Sequence, residues 1–125
     1  MSVVETAVTE VMTARAFALT PTERYPAVLA TPFLIGNLER ACAKLLEPLL
    51  EEGELSVGAR IEVSHTAPTP VGATVTSHAR FVEYLPPLFW FDVWGEDPTG
   101  KVGKGRIARA IVREVDINAR AANVR

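Results

Sequence analysis

The chain has 125 residues, 48% of them apolar and 22% charged, which is enough for one buried core and too hydrophobic for a disordered tail. Thirteen Lys plus Arg against fifteen Asp plus Glu leave no electrostatic footprint, so nucleic acid and anionic membrane surfaces are disfavoured as partners. A single cysteine, Cys42, excludes an internal disulfide and suits a reducing compartment, making the cytoplasm the expected location.

No basic region followed by an apolar core opens the chain, and no apolar run approaches the roughly 20 residues of a bilayer span. Without repeats or low-complexity stretches, residues 1–125 read as one soluble domain. In the first 19 residues Val8, Glu10, Met12 and Ala14 share one parity, which predicts a strand. From Thr31 to about Leu50 the period changes: Leu34, Ile35, Leu38, Ala41, Cys42, Leu45, Leu46 and Leu49 recur at three- and four-residue spacing. Thr31 is the expected N-cap and Pro32 suits the first helical position. Pro48 ends or kinks this helix, because it removes a backbone donor and clashes with the preceding turn.

After Gly53 the period falls to two, with strand-like runs at Ala59–His65, Ala73–Glu83, Leu88–Trp94 and Lys101–Val115. Their connections are too short for crossover helices and imply antiparallel neighbours. The fold class is therefore α+β, a curved antiparallel sheet wrapped around one long central helix. Apolar residues on both parities, such as Phe89, Phe91 and Val93 against Leu88, Trp90 and Trp94, favour a homodimer.

Several residues sit out of place. Glu39 has Ile35, Gly36, Cys42 and Ala43 as its helical neighbours, while the charged stripe of Arg40, Lys44, Glu47 and Glu51 begins about 100° further round. Its carboxylate leans toward the apolar side, either as a candidate general base or as a boundary residue whose stem covers apolar surface. His65 shares the parity of Ile61 and Val63 and so points at the buried side, as a proton carrier or a hydrogen-bonded core histidine. His78 reads as solvated, the sheet side of Arg109 is undecided, and Cys42, in a leucine stripe, reads as an inert core thiol. The absence of CxxC, HExxH and other His/Cys clusters argues against a metal, and no GxGxxG or GxxxxGK[ST] marks a phosphate loop.

Ala30-Thr31-Pro32-Phe33 at a helix start, Leu38-Glu39-Arg40-Ala41-Cys42, Ser56-Val57-Gly58, and Val63-Ser64-His65-Thr66-Ala67-Pro68-Thr69-Pro70 followed by Val71-Gly72-Ala73-Thr74-Val75-Thr76 together resemble the hotdog-fold thioesterases of the fluoroacetyl-CoA thioesterase type. The resemblance runs from about Tyr25 through Asn118. It implies a homodimer that hydrolyses an acyl-CoA to a free acid and CoA, with CoA as part of the substrate and no separate cofactor. The family's catalytic threonine, glutamate and histidine fall on Thr31, Glu39 and His65, its glycine near the thioester on Gly58, and its active-site arginine on Arg109. Where the fluoroacetyl-specific enzyme has two phenylalanines shaping a hydrophobic lid, this chain has Thr22 and Tyr25, so a different short or medium acyl group is expected, with Tyr25 among the substrate-binding residues.

Thioester hydrolysis needs an activated water or nucleophile, a donor for the developing oxyanion and a proton for the leaving thiolate. Glu39 and Thr31 both remain open as nucleophile. Eight residues of continuous helix would separate them by roughly 12 Å, so the helix starts later, the loop folds back, or the site combines two chains. A hotdog enoyl-CoA hydratase is the nearest enzymatic alternative, but the characteristic Asp or Glu followed closely by His is missing. A non-catalytic acyl-CoA binding module is the other.

Overall fold

The computed structural model describes residues 7–124. Strand β1 (Ala7–Thr13) is followed by a long loop and helix α1 (Thr31–Leu46), then β2 (Glu54–His65), β3 (Thr74–Leu85), β4 (Leu88–Asp97), β5 (Gly100–Arg113) and helix α2 (Glu114–Ala122). The strands form one antiparallel sheet in the order β1-β3-β4-β5-β2. α1 lies across its inner face, the arrangement the alternating and helical periods predict.

The leucine stripe explains why α1 packs there: Leu34, Leu38, Ala41, Cys42, Leu45 and Leu46 are buried against Val75, Ala79, Phe89, Phe91, Val93 and Ile107. A single buried Leu on this face contributes roughly 1.5–3 kcal/mol. The polar exception, Asn37, donates from Nδ2 to Ser77 Oγ at 2.7 Å and to the Glu10 carbonyl at 3.2 Å. Glu10, buried on β1, pairs with Arg40 and Lys44 of the helix. Together these contacts fix the angle at which α1 crosses the sheet. At Pro48 the helix gives way to a single 3-10 turn, Glu47–Leu49, as a missing backbone donor requires.

Three expectations are corrected. Thr31 is the first helical residue and not the cap, which is Ala30 with extended backbone and no side-chain cap bond; Pro32 follows at the second position. β2 begins at Glu54, five residues before the expected Ala59. The final strand ends at Arg113, and Glu114–Ala122 form α2, an exposed helix with no buried residue. Such a helix has no apolar stripe to betray it, only the acidic first turn of Glu114 and Asp116.

The two apolar parities of β4 also resolve differently than expected. Phe89, Phe91 and Val93 face α1, whereas Trp90 and Trp94 lie on the outer face under guanidinium groups, Arg106 4.7 Å from the Trp90 ring centre and Arg80 5.7 Å from that of Trp94. His78, read as solvated, is half-buried there, stacked on Trp94 and paired with Glu96 at 2.7 Å. These side chains cover part of each tryptophan ring from within the chain. Of the sheet's two edge strands, β1 and β2, the second has Gly58 to Glu62 exposed, and Ile61, on the inner face opposite Ile107, is 45% accessible.

Candidate active site

Besides the Asn37–Ser77 contact, two groups of polar side chains stand on the inner side of the sheet. The first joins the start of α1 to the end of β2. Because Ala30 caps the helix, the Thr31 hydroxyl is free for another partner, and Thr31 Oγ1 and His65 Nδ1 share a hydrogen bond of 2.8 Å. With the imidazole proton on Nε2, the hydroxyl donates to Nδ1. His65 Nε2 is buried and has no hydrogen-bond partner among the described residues. Gly103, opposite His65 on β5, lets the histidine end of β2 approach the helix, since a Cβ there would press on Leu34 at 2.9 Å.

Thr31 and His65 line a cavity of about 390 Å³ whose remaining wall is nearly all apolar, with Phe17, Tyr25, Val28, Leu29, Ala67 and Pro68. Phe17 packs 4.9 Å from Tyr25 of the same wall and 6.1 Å from Phe33 outside it, between ring centres. Arg15 caps the Phe33 ring at 4.4 Å. No charged side chain lines the cavity. A few polar side chains, Thr31, His65 and Thr66, stand among apolar ones, a composition that orients a polar reacting centre and leaves the rest of a ligand in apolar surroundings.

The second group lies further along the helix. Glu39 is half-buried and its Oε1 accepts from Arg109 Nη1 at 3.1 Å. The undecided side of Arg109 is thus the inner one. Its Nε donates to Ser56 Oγ at 3.1 Å and its Nη2 to the Ser56 carbonyl at 2.8 Å. A β-bulge between Gly58 and Arg60 marks this part of β2. Gly58 sits directly against Glu39: a Cβ at that position would collide with Oε1 and lie 3.3 Å from Cδ. The missing side chain is what lets the carboxylate rest on the strand. Cys42, one turn along α1, is fully buried, and burial pushes its thiol up to about 12; it is the inert core thiol the leucine stripe predicts.

Within one chain the two groups stay apart. No hydrogen bond or ion pair among the described residues links Thr31 or His65 to Glu39 or Arg109. Tyr25 and Gly58 likewise belong to different groups. Two participants escaped the sequence. Ser56 stands two residues before Gly58 in a recognisable block, but nothing in its spacing points to an arginine on β5. Phe17 lies in a loop that has no period to read.

A long helix laid across one curled antiparallel sheet is the hotdog fold, and here it carries a hydroxyl–imidazole pair in an apolar cavity and a carboxylate–guanidinium pair on the same face. The model of the fluoroacetyl-CoA-specific thioesterase family matches residues 8–115, and the chain belongs to that family of thioester hydrolases. It is 38% identical over 96 residues to the fluoroacetyl-CoA thioesterase of Streptantibioticus cattleyicolor, spanning 77% of this chain and 69% of that one. Among solved structures, the fluoroacetyl-CoA thioesterase FlK superposes with a TM-score of 0.89 at 31% identity, covering 100% of this chain and 98% of the other. A variant of FlK with fluoroacetate and CoA has a TM-score of 0.84 at 32% identity, covering 94% and 100%. A thioesterase-superfamily protein of Thermus thermophilus, 22% identical with a TM-score of 0.86 over 97% of this chain and 92% of its own, shares the fold. No helix among the described residues is long and apolar enough to cross a membrane.

Proposed function

We propose that this chain hydrolyses a short or medium acyl-CoA to the free acid and CoA, and that fluoroacetyl is not its single preferred acyl group. The observation that carries this reading is the 2.8 Å Thr31–His65 hydrogen bond in the wall of an otherwise apolar cavity. The relative with CoA and fluoroacetate supports a CoA thioester as the substrate. Thr22 is exposed and outside the cavity wall, where Phe17 and Tyr25 supply the aromatic surface instead; a differently built wall argues for a different acyl group.

In this reading Glu39 takes a proton from water as the water oxygen adds to the thioester carbon. The Gly58 amide faces the oxyanion, and collapse breaks the C–S bond while the proton taken up by Glu39 passes by way of His65, which the Thr31 hydroxyl orients, to the leaving thiolate. Carboxylate, imidazole and water suffice for this hydrolysis, so no cofactor or metal takes part. The chain acts as a single domain in the cytoplasm.

The active species is a homodimer, and its site draws on both chains. On one chain Gly58 and His65 are seven residues apart on β2, roughly 23 Å of extended strand. Ile61, near the midpoint of that run, is exposed on the inner face of an unpaired edge. Antiparallel pairing of two β2 edges about a two-fold axis near Ile61 brings the partner subunit's Gly58 and Glu39 toward this chain's Thr31 and His65.

Thiol release from a panel of acyl-CoAs tests the activity, with Glu39→Gln and His65→Ala each expected to abolish turnover in a folded protein. Tight acyl-CoA binding without turnover, unchanged by Glu39→Ala, would identify a binding module; hydration of an enoyl-CoA without thiol release would identify a hydratase. Co-refolding the two inactive variants in equal amounts tests the shared site. Half the dimers are then mixed and each has one intact site, so about a quarter of the wild-type activity returns. Sites contained within single chains would return none.

A further inference from the structure

We propose that Ser56 is a positioning residue: by gripping one edge of Arg109 it limits the Arg109–Glu39 pair to a single carboxylate oxygen and leaves the other for the reacting water. This rests on the reading of Glu39 as the group that activates water.

An arginine meeting a carboxylate ordinarily forms two parallel hydrogen bonds, occupying both oxygens. Here the side-on edge, Nε with Nη2, is already engaged by the hydroxyl and carbonyl of Ser56 at 3.1 and 2.8 Å, which fixes the direction in which the guanidinium points. Held in that pose, the guanidinium turns its end-on edge toward Glu39, and from that edge only Nη1 reaches the carboxylate, at Oε1 and 3.1 Å. Oε2 carries no hydrogen bond among the described residues. A base whose two oxygens are both tied to a guanidinium has lost the position from which it would take a proton, so a single bond anchors the carboxylate and keeps it usable. The Arg109 side chain is 11% exposed, which makes solvent a poor substitute for the serine. The backbone sets the arrangement: Ser56 pairs with Ile111 and Gly58 with Arg109 across β2 and β5, placing the serine one inner-face position from the arginine.

Ser56→Ala removes the Nε acceptor and leaves the backbone carbonyl as the remaining hold on Nη2, so Arg109 can swing its fork toward Glu39. The expected result is a kcat roughly tenfold lower with KM and melting temperature unchanged, restored by Ser56→Thr, which keeps the hydroxyl. In an Arg109→Lys background Ser56→Ala should cost nothing further, since lysine has no fork to restrain. An unchanged kcat in Ser56→Ala, a loss that follows the melting temperature, or a full additional loss on top of Arg109→Lys would overturn the proposal. A readout independent of turnover separates this from the thioesterase reading. The Arg109 Nε–H should give a protected 1H–15N resonance in the wild type that broadens in Ser56→Ala. If no acyl-CoA is hydrolysed while that resonance behaves so, the function fails and the serine grip stands; absence of the protected resonance in the wild type refutes the grip itself.

Discussion

Replacing Gly58 by alanine should separate activity from stability. The added Cβ would collide with Glu39 Oε1 while remaining 3.3 Å from Cδ and 3.7 Å from Arg109 Nη1, so the main obstruction is the far end of one side chain. The carboxylate must withdraw by on the order of 1 Å to reach ordinary van der Waals separation. Displacements of that size at a reacting group cost on the order of 100-fold in rate, about 2.7 kcal/mol of transition-state stabilisation. The fold should not suffer. Gly58 is not among the glycines with positive φ, and alanine at a compatible backbone position adds about 0.4–1 kcal/mol by restricting the unfolded chain. Steady-state thiol release from the best acyl-CoA, with thermal melting and size-exclusion chromatography on the same preparations, gives all three quantities. A Gly58→Ala protein with wild-type kcat that still requires Glu39 would refute the reasoning. So would a loss of activity accompanied by equal loss of stability or of the dimer.

Cys42 should resist thiol reagents at mildly alkaline pH for as long as the protein is folded, because burial pushes its thiol from 9.0 up to about 12; labelling at the rate of a free thiol in native buffer would contradict this. The same raised value means the folded chain holds this proton more tightly, so its contribution to stability is complete below pH 9 and is lost as pH rises toward 12. Asp97 shifts the other way: hydrogen bonds from Thr99 and then Thr69 hold its carboxyl below the ordinary value of 3.8. Thr99→Ala should therefore lower the denaturation midpoint at neutral pH, with the difference shrinking as pH falls well below 3.8; equal destabilisation across that range would exclude the carboxylate as the cause. Leu38→Ala, at a position with no exposed surface, should cost about 2–5 kcal/mol in equilibrium unfolding. A cost below 1 kcal/mol would mean the helix–sheet core had collapsed around the missing side chain.

The sequence was sufficient for the architecture because local periods carry it. A three- and four-residue leucine stripe has one way to bury itself, against a sheet, and period-two runs with short links have to lie antiparallel. It was equally sufficient for Cys42, whose burial follows from its place in that stripe. His65 and Glu39 were legible as misfits, a titratable ring on the apolar parity and a carboxylate off the charged stripe, and the resemblance then suggested their roles. What each of them touches was not legible. Thr31 read as a helix cap because Thr-Pro is a common helix opening; Ala30 takes that place, and the hydroxyl turns to a histidine 34 residues away. Arg109 could not be assigned a side of the sheet from neighbours that are apolar on both parities, and its grip on Ser56 joins residues 53 apart. Helix α2 escaped because an exposed helix buries no stripe. Period and composition are properties of neighbouring residues, so they decide which elements form. The pairing of hydroxyl with imidazole, and of serine, arginine and carboxylate, depends on strand register and on the angle at which α1 crosses the sheet, and those are decided only when distant segments pack.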